Sequence, residues 1–212
     1  MLFWIIRILF IGMLIIYDLM YIYFLKKRKR YELFLENFYI NLGLIILYNA
    51  LCLIPAILPS LLYIIPKSWI GSNMIISLWY FSVGIILIII GVMVMALSLK
   101  MRRVIGAQDT SGKLLTSGVY SFSRHPIYFS ISILSLGLAL SFNNLNALII
   151  IPIIILLNFL TGKIEEKYDM DERFKNQYSH YKEKTRALGP FWFWLILVLA
   201  IGIPFLFLLF NL

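Results

Sequence analysis

Six apolar stretches, each close to the length of a membrane span, limit what this chain can fold into. They cover residues 3–25, 38–60, 75–99, 126–141, 146–162 and 190–211. A helix needs about 20 apolar residues to cross the hydrocarbon core of a bilayer. Hydrophobic residues make up 62% of the chain, which is more than a soluble domain carries. The pattern predicts an all-α, polytopic membrane protein with about six transmembrane helices.

Three of these stretches have special features. The fourth and fifth are short and are separated by Asn143-Asn144-Leu145-Asn146, which predicts a tight helical hairpin. The second contains Pro55, Pro59 and Pro66, so its outer half is expected to be kinked or partly re-entrant. The first lacks a basic leader and a small-residue cleavage site, so we interpret it as a retained anchor and not as a signal peptide.

The distribution of basic residues predicts the orientation in the membrane. The block 26–30 (Lys-Lys-Arg-Lys-Arg) directly follows the first apolar stretch and is expected to be cytoplasmic. Six spans then place both termini outside, and only Arg7 and Lys67 of the 19 Lys and Arg residues fall on the outer side. The net charge of +9 lies in short loops, which indicates contact with anionic lipid headgroups and argues against nucleic acid.

A polar and basic island around Arg124-His125-Pro126 lies between the third and fourth apolar stretches. Pro126 fits the first turn of a helix, which places His125 just outside the helix start. Such a start attracts carboxylates and phosphates, and Arg124 and His125 add hydrogen-bond donors. Tyr120 and Tyr128 flank the island. A positive-inside boundary with interfacial tyrosines explains Arg-His-Pro alone equally well.

A second polar island begins at residue 163 and contains an apolar stripe with helical spacing. The stripe consists of Met170, Phe174, Tyr178 and Tyr181. Glu166 and Lys163 lie one and two turns before it on the same face. Glu165 is expected to point about 100° away from this stripe. A carboxylate on the buried side needs a partner. Spacing alone favours a Lys163–Glu166 pair; alternatively, Glu166 holds a ligand's ammonium or hydroxyl while Lys163 or Arg124 faces a substrate anion.

Several common catalytic and binding motifs are absent from the sequence. It has no Gly-rich phosphate loop, no His-Glu-x-x-His, no pair of cysteines for zinc and no Gly-x-Ser-x-Gly elbow. Strands do not alternate with helices, which excludes a Rossmann domain. No metal is therefore predicted, and a nucleotide-like cofactor would have to bind between membrane helices and cytoplasmic loops.

The two islands together resemble the isoprenylcysteine carboxyl methyltransferase family, whose relatives include membrane phospholipid methyltransferases. The resemblance covers roughly residues 112–190 and leaves the first hundred residues unassigned. It is carried by Leu114-Leu115-Thr116-Ser117-Gly118-Val119-Tyr120, Arg124-His125-Pro126-Ile127-Tyr128, and Glu165-Glu166 followed by Phe174, Tyr178 and Tyr181. Two departures are Lys175, where the family usually has Gly, and a further apolar span after Pro190.

The resemblance implies S-adenosylmethionine as the methyl donor. The cofactor-binding residues that it implies are Lys113, Leu114, Leu115, Tyr120, His125, Pro126, Ile127, Tyr128 and one carboxylate of the Glu165-Glu166 pair. Arg124, His125 and Glu166 are the implied catalytic residues, and Arg124 and Lys163 are candidates to orient an anionic substrate. The chain then divides into three N-terminal spans (1–100), a catalytic region (101–190) and a C-terminal helix (191–212).

The function implied is methyl transfer to a lipidic or prenylated acceptor that enters from the bilayer, while the cofactor enters a pocket on the cytoplasmic side. Carboxyl O-methylation of an isoprenylcysteine-like acceptor is the first expectation, and N-methylation of a phospholipid of the phosphatidylethanolamine type is the second. Membrane sterol reductases that use NADPH also resemble this region, but they usually carry Asn at the position of Ile127. A non-enzymatic scaffold would leave Tyr120, His125 and Glu166 unexplained. Oligomeric state and the choice of membrane stay open.

Overall fold

The computed structural model describes residues 2–27, 37–58, 74–102, 113–142 and 145–210, and every regular element within them is helical. The elements are α1 (Leu2–Lys26), α2 (Phe38–Ile57), α3 (Met74–Arg102), the short α4 (Val119–Phe122), α5 (Pro126–Ser141), α6 (Leu145–Glu165), a π-helical turn (Glu166–Met170), α7 (Asp171–Lys184) and α8 (Phe191–Phe210). The all-α class is confirmed, and the chain is a polytopic helical membrane protein.

Within the part of the chain that the structure describes, three helical segments are long and apolar enough to cross a membrane. They are Trp4–Lys26, Ile75–Met101 and Ala147–Lys184, the last of which continues from α6 through the π-helical turn into α7. The other apolar helices are shorter, at Leu42–Ile57, Pro126–Ser141 and Phe191–Pro204. Each of the six apolar stretches of the sequence therefore corresponds to one helix.

The proline-rich end of α2 is helical only up to Ile57. The helix passes through Pro55 and ends where Leu58 adopts an extended conformation, with φ −73° and ψ 136°. The buried guanidinium of Arg7 donates to the carbonyl oxygens of Pro55, at 3.4 Å, and of Leu58. Since the last carbonyls of a helix lack partners within it, Arg7 both satisfies these groups and fixes α1 against α2. Pro59 and Pro66 lie outside the described residues.

Helix α5 is the centre of the fold and packs most extensively against α3. The two backbones approach closely at glycines: a Cβ atom at Gly84 would lie 2.6 Å from the carbonyl oxygen of Gly137, and one at Gly137 would lie 2.8 Å from that of Gly84. Small residues allow such close packing between membrane helices. Helix α5 also packs on α6, which confirms the predicted hairpin, although Asn143 and Asn144 lie outside the described residues.

Helix α8, the span that departs from the family pattern, is held by polar and aromatic contacts. The indole of Trp79 and the hydroxyl of Tyr80, both in α3, donate to the carbonyls of Ala200 and Ile201, each at 2.9 Å. Phe193 packs edge-on against Phe129 of α5. These contacts place α8 beside α3 and α5, next to the segment that precedes α5.

Lys175 interrupts α7 with a left-handed backbone conformation, φ 44° and ψ −119°. This region disfavours side chains with a Cβ atom and favours glycine. The position is the one at which the resembled family usually has Gly. A glycine at this position would adopt the conformation without strain. Lys175 has a Cβ atom and adopts it at a cost in free energy.

Candidate active site

The Arg-His-Pro segment lies at the start of α5, as predicted. Pro126 is the first helical residue, and His125 is the residue just outside the helix. The segment is held by the chain that follows α7. The backbone N–H of Arg124 donates to the carbonyl of Arg186 at 2.9 Å, and that of His125 donates to the carbonyl of Ala187 at 3.1 Å. The guanidinium of Arg124 also donates to carbonyls at the end of α7.

Glu166 is the centre of a buried ion cluster. Its Oε1 atom accepts from Arg124, with distances of 2.9 Å to Nε and 2.8 Å to Nη2, and lies 3.1 Å from Nε2 of His125. Its Oε2 atom accepts from Nζ of Lys163 at 2.9 Å. The Lys163–Glu166 pair predicted from spacing therefore forms, and Arg124 and His125 join it. A carboxylate that is 3% exposed needs such partners to stay buried.

Glu165 is buried as well, although the helical spacing turns it about 100° away from the stripe. Its side chain lines a cavity, and its Oε2 atom lies 3.6 Å from Nδ1 of His125. The reason is that α6 packs against α1, α2 and α5 at once, so a face about 100° from the predicted stripe also meets protein.

His125 lies between these two carboxylates. Burial disfavours the charged ring, but the hydrogen bonds and charges of Glu165 and Glu166 outweigh it and raise the pKa of His125. The imidazole is therefore stabilised as a cation.

The ring of His125 also rests directly on the backbone of α6 at Gly162. A Cβ atom at Gly162 would lie 2.9 Å from Cδ2 of the imidazole and 3.1 Å from Cγ. Sequence reasoning missed this residue. The available signal was an isolated glycine inside a helical pattern, which often marks a close approach of another group.

A cavity of about 290 Å³ adjoins the ion cluster, close to the lower end of the range of small-molecule sites, about 300–1,000 Å³. It brings together nearly all of the residues that the sequence singled out for the cofactor. Those that line it are Lys113, Leu114, Leu115, Tyr120, Arg124, His125, Pro126, Ile127, Tyr128 and Glu165. Glu166 and Lys163 are not among the lining residues. Glu166 is buried and holds Arg124 and His125, whereas the side chain of Lys163 is 41% exposed.

The opposite wall of the cavity comes from α1, α2 and α3 and is mostly apolar and aromatic. Its residues are Tyr17, Met20, Tyr21, Phe24, Leu25, Leu44, Ile45, Tyr48, Asn49, Met95 and Leu99. Sequence reasoning gave no role to the first two helices. No local pattern could have done so, because the wall depends on contacts between helices that are distant in the chain.

The π-helical turn and α7 complete the cavity. The stripe Met170, Phe174, Tyr178 and Tyr181 lines it, which confirms that this face points inward. Asp169 and Arg173 line it too, with Nη1 of Arg173 3.3 Å from Oδ2 of Asp169. Sequence reasoning missed this pair, whose spacing of four residues is also typical of exposed helical ion pairs. Among the residues that the structure describes, no group of three or more His, Cys, Asp or Glu side chains is arranged to hold a metal ion.

In the comparison with protein families, residues 79–177 match the family model described as phospholipid methyltransferase. The matched region runs from α3 through α5 and α6 into α7. It includes Arg124-His125-Pro126 and the Glu165-Glu166 pair, while α1, α2 and α8 lie outside it. Comparison with curated proteins and with solved structures finds no match.

Proposed function

We propose that this membrane methyltransferase, whose residues 79–177 match the phospholipid methyltransferase family, transfers the methyl group of S-adenosylmethionine to an amine-bearing phospholipid. The observation that carries this proposal is the cavity itself. One wall combines cationic donors, carboxylates and tyrosines, and the other is apolar and formed by membrane helices.

The residues of the polar wall fit the chemical groups of S-adenosylmethionine. When bound, this cofactor supplies a methyl group on a positively charged sulfur, and transfer to an acceptor lone pair leaves a neutral thioether. The free N–H groups at the start of α5 suit its carboxylate, and His125, whose raised pKa favours the protonated ring, adds to this preference. Glu165 suits its ammonium or a ribose hydroxyl, and the rings of Tyr120 and Tyr128 suit a sulfonium.

The two glutamates take different roles in this proposal. Glu165 lines the cavity and binds the cofactor. Glu166 is a positioning residue, because its carboxylate accepts from Arg124 and Lys163 and lies beside His125. Arg124 and Lys163 are both engaged by Glu166, so we assign them to holding this cluster in place. The alternative role suggested by the sequence, orientation of an anionic substrate, is less favoured.

Two carboxylates that line the cavity support an amine acceptor. Glu165 and Asp169 both line the cavity among tyrosine rings, and carboxylates and aromatic faces attract ammonium groups. An ammonium must lose one proton before its lone pair can accept a methyl group, and the carboxylate oxygens of Glu165 or Asp169 can take it. Carboxyl O-methylation of an isoprenylcysteine-like lipid is the second candidate, favoured by the cavity-lining Arg173 and Lys113.

Alignment and exclusion of water supply much of the rate in such a displacement, and the fold provides both. The start of α5 is fixed on both sides, by the Glu166 cluster and by the backbone bonds to Arg186 and Ala187. The apolar wall from α1 and α2 suits the hydrocarbon part of the lipid and keeps water from the acceptor.

The test is a methyl-transfer assay with purified protein, labelled S-adenosylmethionine and two acceptors, phosphatidylethanolamine and a farnesylated cysteine. We expect label in phosphatidylethanolamine and a loss of about 10-fold or more in Glu165→Gln, since a charged hydrogen bond contributes about 1.5–3 kcal/mol. Glu183→Gln is the matched control, because Glu183 is 75% exposed and pairs only with exposed His180 in the described contacts. Label in the farnesylated cysteine alone would select the second candidate, and label in neither would contradict both.

A further inference from the structure

We propose that Asp169 and Arg173 form a subsite for a zwitterionic lipid headgroup, with the ammonium at Asp169 and the phosphate at Arg173. This inference rests on the proposed function and names the residues that select its acceptor. The pair lies outside the Arg-His-Pro and Glu-Glu motifs.

The geometry of the Asp169–Arg173 pair allows a ligand to replace the contact between the two side chains. Both residues line the cavity, and the side chains of Asp169 and Arg173 are 8% and 22% exposed. The distance of 3.3 Å between Nη1 and Oδ2 is longer than the 2.7–2.9 Å or so of a tight charge-assisted hydrogen bond. The guanidinium fork can bind a phosphate through two parallel hydrogen bonds.

The spacing of the pair matches the dimensions of the headgroup. Nη1 of Arg173 and Oδ2 of Asp169 are only 3.3 Å apart. The ammonium and phosphate of an ethanolamine headgroup are joined by only two carbons, so one headgroup can reach both residues. Asp169 lies in the π-helical turn, an irregularity that is frequent at functional sites because it changes the direction of side chains.

The subsite lies beside α1, one of the helices that form the apolar wall. Helix α1 contacts the π-helical turn, and Nζ of Lys26 lies 4.9 Å from the ring centroid of Tyr168, next to Asp169. Tyr21 and Phe24 of α1 line the cavity beside this turn. A headgroup at Asp169 and Arg173 can therefore leave its acyl chains along the apolar wall of α1 and α2, while the loop 113–115 and Tyr120 remain for the cofactor.

The opposite charges of Asp169 and Arg173 predict which lipid headgroups the subsite prefers. Asp169 and Arg173 together are neutral, so a zwitterion that binds across them leaves the subsite neutral. A zwitterionic headgroup offers one group to each residue, an ammonium to Asp169 and a phosphate to Arg173, whereas a monoanionic headgroup offers a partner to Arg173 alone. The subsite therefore favours a headgroup with both an ammonium and a phosphate over one with a single negative charge.

The experiment measures binding of short-chain phosphatidylethanolamine, and of phosphatidylmethanol as the anionic comparison, to cofactor-free full-length protein in detergent by native mass spectrometry. We expect wild type to prefer phosphatidylethanolamine, Arg173→Gln to weaken its binding by about 10-fold, and Arg173→Lys to keep part of it. Asp169→Asn should lose the preference over phosphatidylmethanol. Asp171→Asn is the matched control, because its ion pair with Lys182 does not line the cavity.

Affinity for S-adenosylmethionine, measured on the same variants, separates the subsite from the cofactor site. We expect it to be unchanged in Arg173→Gln. If cofactor affinity is lost and lipid binding is intact, the pair belongs to the cofactor site. If lipid binding is unchanged in Arg173→Gln and Arg173→Lys, the pair is a structural ion pair. Either result overturns the proposal. Because lipid binding is measured without cofactor, failure of methyl transfer in wild type would be a separate result.

Discussion

At the scale of single residues, the site depends on the exact position of the imidazole of His125. The ring lies on Gly162 and between the carboxylates of Glu165 and Glu166. The sequence identified His125 and the acidic pair by type and spacing. It could not identify Gly162, because the contact joins residues 37 positions apart in the chain.

The first prediction concerns Gly162→Ala. The new methyl group would lie 2.9 Å from the imidazole and displace it, while alanine itself favours the helix. We expect affinity for S-adenosylmethionine to fall by about 10-fold, the equivalent of one charged hydrogen bond. Isothermal titration calorimetry measures this. Gly202→Ala is the control, because no atom lies within 4 Å of a Cβ at Gly202; equal affinity in both variants would contradict the proposed contact.

The second prediction concerns pH. The raised pKa of His125 means that the folded protein binds its proton more tightly than the unfolded chain does. This contribution to stability is complete below the unfolded pKa of about 6.5 and is lost as the pH rises through the higher folded value. Cofactor affinity should weaken over the same range. Binding and thermal unfolding measured against pH should show both effects in wild type and in His180→Gln, and neither in His125→Gln.

The third prediction concerns Lys175→Gly. The left-handed backbone at Lys175 costs a residue with a Cβ about 1–2 kcal/mol, so glycine should raise the free energy of unfolding by about 1 kcal/mol. Gln177→Gly, in the regular part of the same helix, should lower it by a similar amount. Thermal unfolding in detergent compares the two. A lower melting temperature for Lys175→Gly would show that the conformation at 175 is not left-handed.

At the scale of elements, the sequence predicted the helices well and the irregular turn between α6 and α7 not at all. Pro126 marked the start of α5, and the apolar stretches marked the spans. A regular 3.6-residue period could not reveal the π-helical turn at Glu166–Met170 or the burial of α6 on several sides. For this reason the sequence did not reveal that Asp169 lines the cavity.

The fourth prediction tests the packing of α3 on α5. In Gly137→Leu the side chain would collide with the backbone of Gly84, 2.8 Å from the position of its Cβ. We expect a loss of about 1–3 kcal/mol in the free energy of unfolding, as for other overpacked sites. Gly43→Leu is the control, since a Cβ there meets nothing within 4 Å. Equal melting temperatures for the two variants would refute the close approach of these helices.

At the scale of the whole molecule, the cavity is lined by residues from the region that matches the family model, 79–177, and by helices outside that region. Residues 79–177 supply the Arg-His-Pro and Glu-Glu motifs, and α1 and α2 supply most of the apolar wall. The sequence predicted the motifs and the all-α membrane fold, but a wall built from distant helices follows from tertiary packing and not from local patterns. The cytoplasmic location of the site, the external termini and the three-part division of the chain stay predictions.

The most direct measurement of the central claim is binding of S-adenosylmethionine and of NADPH to the detergent-purified protein, with Glu165→Gln and Glu183→Gln measured beside wild type. The account predicts saturable binding of S-adenosylmethionine that is lost in Glu165→Gln and retained in Glu183→Gln, with no binding of NADPH. Binding of NADPH alone, or binding of S-adenosylmethionine that is equal in all three proteins, would contradict the assignment of this cavity.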